Sequence, residues 1–179
     1  CSTYSCCCSD SGRKAGFDFP TDWTGSENIE VLPYFPFGMT GTLSANIQQL
    51  SALTSLEVPQ GISGTIPNEI GKLINLRRIR IQGFPPAVSI SGVLPGAAFA
   101  KLTKLTSLEL HGPSIKLSGQ LPAVVVAMCS SNFCCCNDAG RFDFPTDWSG
   151  SENVEVLPPF RFGMTGTLSA NIQQLSALT

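Results

Sequence analysis

The chain has 179 residues, 42% of them apolar and only 13% charged, with a net charge of −2. Ordinary globular chains carry about 25% charged residues, and with no contiguous basic block or acidic run the sequence offers no electrostatic footprint for nucleic acid or for an anionic membrane surface. The longest apolar run, Ala123 to Met128, falls far short of the roughly 18 residues a membrane-spanning helix needs, so neither membrane insertion nor a nucleic-acid partner is expected. Ser, Thr, Gly and Pro take the place of the missing charge. That composition is common in secreted proteins and predicts an extracellular or cell-surface location.

The chain opens on cysteines. Cys1, Cys6, Cys7 and Cys8 recur as Cys129, Cys134, Cys135 and Cys136, and four per set predicts a disulfide framework in an oxidising compartment. Four cysteines allow three pairings, and the sequence leaves all three open. If Cys6 to Cys8 run extended, Cys7 faces away from the other two, which would turn one thiol toward a neighbouring chain. A metal site is less well supported, because no CxxC spacing and no second histidine accompany the cysteines.

A long duplication follows. Residues 17–54 return at 142–179 with four differences, Thr24/Ser149, Ile29/Val154, Tyr34/Pro159 and Pro36/Arg161, at a constant offset that separates Asp18 from Asp143 by 125 residues. Thr179 stops where Thr54 continues into SLEVPQ, so the chain reads as a window on a longer tandem array. Four segments result: a Cys/Trp segment at 1–25, a repetitive segment at 26–128, a second Cys/Trp segment at 129–150, and the start of the next module at 151–179.

A shorter rhythm runs through residues 26–128. Leu50, Leu53, Leu56, Val58, Ile62-Ser63-Gly64-Thr65-Ile66-Pro67, Ile70 and Leu73 are answered by Leu73, Leu76, Ile79, Ile81, Ile90-Ser91-Gly92-Val93-Leu94-Pro95 and Leu102. A third copy runs through Leu102, Leu105, Leu108, Leu110 and Leu117-Ser118-Gly119-Gln120-Leu121-Pro122. The corner glycines, Gly41, Gly64, Gly92 and Gly119, are 23, 28 and 27 residues apart. Alternating triplets such as Leu56-Glu57-Val58, Ile79-Arg80-Ile81 and Leu108-Glu109-Leu110 predict short half-buried strands, and the spacing of three at Ile70, Leu73, Leu76 predicts a 3₁₀ or short helical return. One such unit cannot bury its leucines alone; stacked units can.

The compound motif resembles the extracellular plant-type leucine-rich repeat family, over about residues 26–128 and again 151–179. The resemblance implies an α/β repeat solenoid of about four coils, with short parallel strands on one side, a 3₁₀, short-helix or irregular convex side on the other, and disulfides. The family's Asn after the strand is missing here, replaced by the inserts IRIQGFPPAVSISG and LELHGPSIKLSG, so the convex turns must satisfy their backbone in another way. The W-x-G of the Cys/Trp segments is similar to the family's N-terminal cap. A cap recurring internally means either capped beads or an altered coil through which the solenoid continues. The module length, five coils of 25 residues, and the absence of a Gly/Ser linker favour continuity.

Little in the sequence suggests chemistry. His111 is the sole histidine, which leaves no His-based triad to repeat in each module, and it reads as a surface residue. Asp18, Asp22 and Glu27 recur as Asp143, Asp147 and Glu152, where turn and capping roles explain them more cheaply than a glycosidase pair. No phosphate loop, zinc motif or nucleophile elbow is present; no enzyme activity and no cofactor are expected. Glu30, Glu57, Arg80 and Glu109 are expected at equivalent outward strand positions with Arg77 and Arg78 beside them. Since this resemblance implies a concave ligand surface, Glu57, Arg78, Arg80 and Glu109 are the candidate binding residues, against a plain cross-strand charge ladder. No N-x-[ST] sequon exists, and O-linked glycans on Ser and Thr remain open. The expected function is a self-assembling extracellular fibre of modules stacked head to tail, with a secreted ligand-binding or adhesion ectodomain as the alternative. An ice-binding surface fits less well, because the Glu/Arg strand face lacks repeated Thr ranks.

Overall fold

A computed structural model describes residues 18–33, 35, 39–59, 61–82, 90–111, 114–122, 125, 134–135, 140–143, 163–165 and 170–174. Strands dominate and are short: β1 (Gly41–Thr42), β2 (Ser55–Val58), β3 (Ile62–Ser63), β4 (Arg78–Gln82), β5 (Ser91–Val93), β6 (Ser107–His111), β7 (Lys116–Gln120), β8 (Cys134–Cys135), β9 (Gly140–Asp143) and β10 (Gly163–Thr165). Among the described residues, helix comprises α1 (Gly96–Phe99), 3₁₀ turns at Ala45–Gln49, Asn68–Lys72 and Ala170–Gln174, and Val125. All the strand pairings among the described residues are parallel. The architecture is therefore β-rich and repeat-like, each layer of chain laid beside the previous one.

Two rows of strands form. The first runs β2-β4-β6-β8, with Leu56, Ile79 and Leu108 in one register column and Glu57, Arg80 and Glu109 in the next. Alternation explains the sidedness: Leu56, Ile79 and Leu108 are fully buried, whereas Glu57 is exposed. The second row contains β1-β3 and β5-β7-β9-β10. Isolated bridges from Asp18 to Thr40 and from Gly64 to Ile90 join its pieces, so paired backbone runs from Asp18 to Thr165.

The spacing of three dictates the return side. Backbone N–H groups of Ile47, Leu50 and Leu53 donate to the carbonyls of Ser44, Ile47 and Leu50, and those of Ile70, Leu73 and Leu76 to Pro67, Ile70 and Leu73. Three-residue hydrogen bonding eclipses side chains three apart, which drives all six into the interior, at 0–1% exposure. One cluster of buried apolar side chains extends from Phe19 to Val125, and Ile172 of the second module packs against it.

Hydroxyls and amides of one layer bond to the layer before. Thr54 Oγ1 donates to the Glu30 carbonyl and Thr106 Oγ1 to the Arg77 carbonyl, each at 3.0 Å. Asn46 and Asn75 donate side-chain N–H groups to the Thr21 and Ser51 carbonyls at 2.9 and 3.1 Å. One register expectation fails. Glu30 does not share the column of Glu57, because Val31 pairs with Ser55 and the Glu30 carbonyl accepts from the backbone N–H of Thr54. Leu32, 8% exposed, takes the inward place, while Ile29 is only half-buried; the apolar alternation of Ile29-Glu30-Val31 is offset from the actual strand.

The second Cys/Trp segment contributes to both rows. Cys134 and Cys135 pair with Leu108 and Glu109, and Gly140 to Asp143 pair with Leu117 to Gln120. Asp143 then pairs with Thr165 as Asp18 pairs with Thr40, so the same register returns after one module. Cys1, Cys6, Cys7, Cys8, Cys129 and Cys136 lie outside the described residues, and with them the expected disulfide framework.

Candidate functional site

The strand face of the first row holds the residues singled out for binding. Arg80 Nε donates to Glu109 Oε2 at 2.7 Å, and its Nη1 lies 3.6 Å from Glu57 Oε1. The Glu109 hydrogen bond, then its charge, holds the Arg80 guanidinium even more firmly protonated than usual. The three charges are thus committed largely to one another, as a ladder. Arg78 occupies the neighbouring column between Ser55 and Ser107 and is exposed. His111 ends β6.

The repeated carboxylates serve local geometry. Asp18 Oδ1 accepts from Thr40 Oγ1 at 2.9 Å, across the Asp18–Thr40 bridge. Asp22 Oδ1 accepts from the hydroxyl and backbone N–H of Thr24 at 2.7 and 3.1 Å, and these bonds hold its carboxyl below the ordinary range. Glu27 is lowered likewise by backbone N–H groups, its own first and then that of Gly25, which donates to Oε1 at 3.0 Å. Between them Trp23 turns inward at 7% exposure, its ring edge-on to Phe19 at 5.6 Å, and its backbone N–H donates to Gln49 Oε1 at 2.7 Å. No cluster of three metal-ligating side chains occurs among the described residues.

The second row presents a different face. Thr40, Thr42, Thr65, Val93, Ser118 and Gln120 are exposed along successive layers, with Lys116 exposed beside Ser118 on β7 and the Asp18 carboxylate bonded to the Thr40 hydroxyl. Ser63 and Ser118 hydroxyls donate back to the carbonyls of Gly41 and Gly92 at 3.0 and 3.4 Å. Close approach of layers needs glycine at this corner: a Cβ on Gly119 would stand 2.9 Å from Val93 Cγ1.

A third surface escapes a reading of total charge. Residues 15–71 contain Asp18, Asp22, Glu27, Glu30, Glu57 and Glu69 and no cation, whereas residues 72–108 contain Lys72, Arg77, Arg78, Arg80, Lys101 and Lys104 and no acid. The charges are spaced along the chain, so they form no run; counting sign layer by layer would have found them. Folding aligns much of this set on one edge, where the 3₁₀ side turns back into the first strand row. There the Glu27 carbonyl accepts from Ser51 Oγ, the Ser51 carbonyl from Asn75 Nδ2, and Asn75 Oδ1 from Lys104 Nζ. Beside that line, the Glu30, Thr54 and Arg77 carbonyls accept from the N–H groups of Thr54, Arg77 and Thr106.

No family model matches the chain, and no curated protein is similar to it. Among solved structures, the crystal structure of a plant ice-binding protein is similar at 23% identity and a TM-score of 0.34, over 60% of this chain and 38% of that one. The chain therefore spans well under half of that neighbour's length.

Proposed function

We propose that the chain is a structural protein: a segment of a secreted leucine-rich-repeat solenoid whose tandem modules build an extracellular filament, disulfide-stiffened and open to O-linked glycans on its Ser and Thr residues. The observation that carries this reading is the unbroken parallel pairing through the module boundary, β6 to β8 and β7 to β9 to β10. A module whose last layer is the first layer of the next has no natural end, and identical joints repeated without closure give an open filament. At about 4.8 Å per strand, five layers advance roughly 24 Å per module. Electron micrographs of the native material are expected to show uniform fibres with that axial repeat; separate beads at a larger spacing would reject the reading. A ligand-binding ectodomain is less well supported, because Arg80 is already engaged by Glu57 and Glu109.

One observation favours a second reading, a surface that binds ice. Exposed Thr40, Thr42, Thr65, Val93 and Ser118 lie along the second strand row, away from the Glu57, Arg80 and Glu109 ladder. Thr42 and Thr65 present hydroxyls and methyls to solvent there, while the Thr40 and Ser118 hydroxyls donate to Asp18 and to the Gly92 carbonyl. Thermal hysteresis of the purified chain, abolished in Thr42→Lys/Thr65→Lys, would establish it; freezing behaviour equal to that of a neutral control protein removes it.

A further inference from the structure

We propose that the charge-segregated edge is a lateral docking surface for a second copy of this chain, lying antiparallel so that the Glu27/Glu30 layer of one copy faces the Lys101/Lys104 layer of the other. The inference deepens the filament reading by naming how neighbouring arrays associate. Charge complementarity carries it. Inter-layer hydrogen bonds fix the order along the edge as Glu27 and Glu30, then Ser51 and Thr54, then Asn75 and Arg77, then Lys104 and Thr106. Lys72 reaches back to Gln48, and Lys101 lies in the turn after α1. Glu27, Glu30, Lys72, Arg77, Lys101 and Lys104 are all exposed. Among the described residues, no ion pair joins Glu27 or Glu30 to Lys72, Arg77, Lys101 or Lys104. The layer of Glu27 and Glu30 and that of Lys104 stand three strand spacings apart, about 14 Å, too far to pair within one copy.

A sequence of negative, neutral, positive, positive is self-complementary under a two-fold axis between its second and third layers. Rotation sets acid against base at both ends, as an isologous contact requires. Parallel, in-register association would instead set like against like. Exposed pairs contribute only about 0–1 kcal/mol each, so one module associates weakly and successive modules add. A free acidic polymer would satisfy the basic layers but leave Glu27 and Glu30 unmatched, which is why a second copy is the better occupant.

The test is sedimentation of the full chain at low and high salt, with a charge exchange. Self-association is expected to weaken by about tenfold or more between 20 and 200 mM salt, as exposed charges are screened. Lys101→Glu/Lys104→Glu and Glu27→Lys/Glu30→Lys should each lose self-association, and an equimolar mixture of the two should regain it. Glu30→Lys alone guards against disturbance of the Glu27 turn, since Glu30 is engaged through its backbone carbonyl; it should show a partial loss. Salt-independent association, or a mixture no better than its components, overturns the proposal, as does poly-glutamate binding without self-association. Micrographs with single, never paired filaments would sink this inference and leave the filament standing, whereas bead-like particles would sink the filament and leave the sedimentation result to be judged on its own.

Discussion

Glu109 and Glu57 hold the same guanidinium on unequal terms. Arg80 meets Glu109 through Nε at 2.7 Å, with the Glu109 side chain 16% exposed, and meets Glu57 at 3.6 Å, with that side chain 63% exposed. Removing Arg80 should therefore leave a half-buried carboxylate short of its main donor. Arg80→Ala is expected to cost about 1–3 kcal/mol in urea unfolding, the worth of a hydrogen bond between charged groups, while Glu57→Gln stays within about 1 kcal/mol. Equal effects of the two substitutions would show that the ladder is not asymmetric.

The hydrogen-bonded turn at Asp22 and Glu27 sets an acid limit. Both carboxyls titrate below their ordinary values of 3.8 and 4.5. A depressed folded value means a contribution fully present above the unfolded pKa and lost as pH falls through the folded one. Thermal midpoints should thus be flat from pH 7 to about pH 5 and fall below it, and Asp22→Asn should flatten the acid limb. A decline beginning near neutrality would contradict this.

Layer-to-layer distance is fixed by a missing side chain. A Cβ on Gly71 would stand 2.8 Å from Ala98 Cα and 2.9 Å from Ala98 O, backbone against backbone with no flexible end to yield. Gly71→Ala is expected to destabilise by about 1–3 kcal/mol, as overpacked cores do, readable as a lowered denaturant midpoint. A midpoint unchanged from the parent would mean that the two turns slide freely.

Trp23 offers the opposite sign of surprise. Its indole Nε1 is buried and has no hydrogen-bond partner among the described residues, while its ring packs on Phe19. Trp23→Phe removes an unsatisfied donor together with some packing, so the net change should stay below about 1 kcal/mol. Trp23→Ala should cost about 3–5 kcal/mol. A large loss in the Phe variant would reveal a partner for the N–H.

Much of the layered core was legible. The spacing of three at Ile70, Leu73 and Leu76 and the alternation at Leu56 to Val58 translate directly into backbone geometry, because burying those side chains needs one conformation. Glu30 was not legible, since its triplet alternates as well as a true strand and only pairing of Val31 with Ser55 reveals the offset. The inter-layer bonds of Thr54 and Thr106 were hidden for another reason. Threonine is unremarkable in composition, and its use depends on which carbonyl the preceding layer presents; the recurring Thr-Ser-Leu-Glu at 54–57 and 106–109 was the available clue. The segregated edge went unseen because sequence distance separates charges that folding lines up.

The inter-layer hydrogen bonds join residues 22 to 29 positions apart, and the Asp18–Thr40 pairing is renewed at Asp143–Thr165. Inserting or deleting 125 residues therefore restores each neighbour relation, whereas removing half that number joins unlike surfaces. A change by whole modules carries little thermodynamic penalty at the joint, since each layer meets the same neighbour as before.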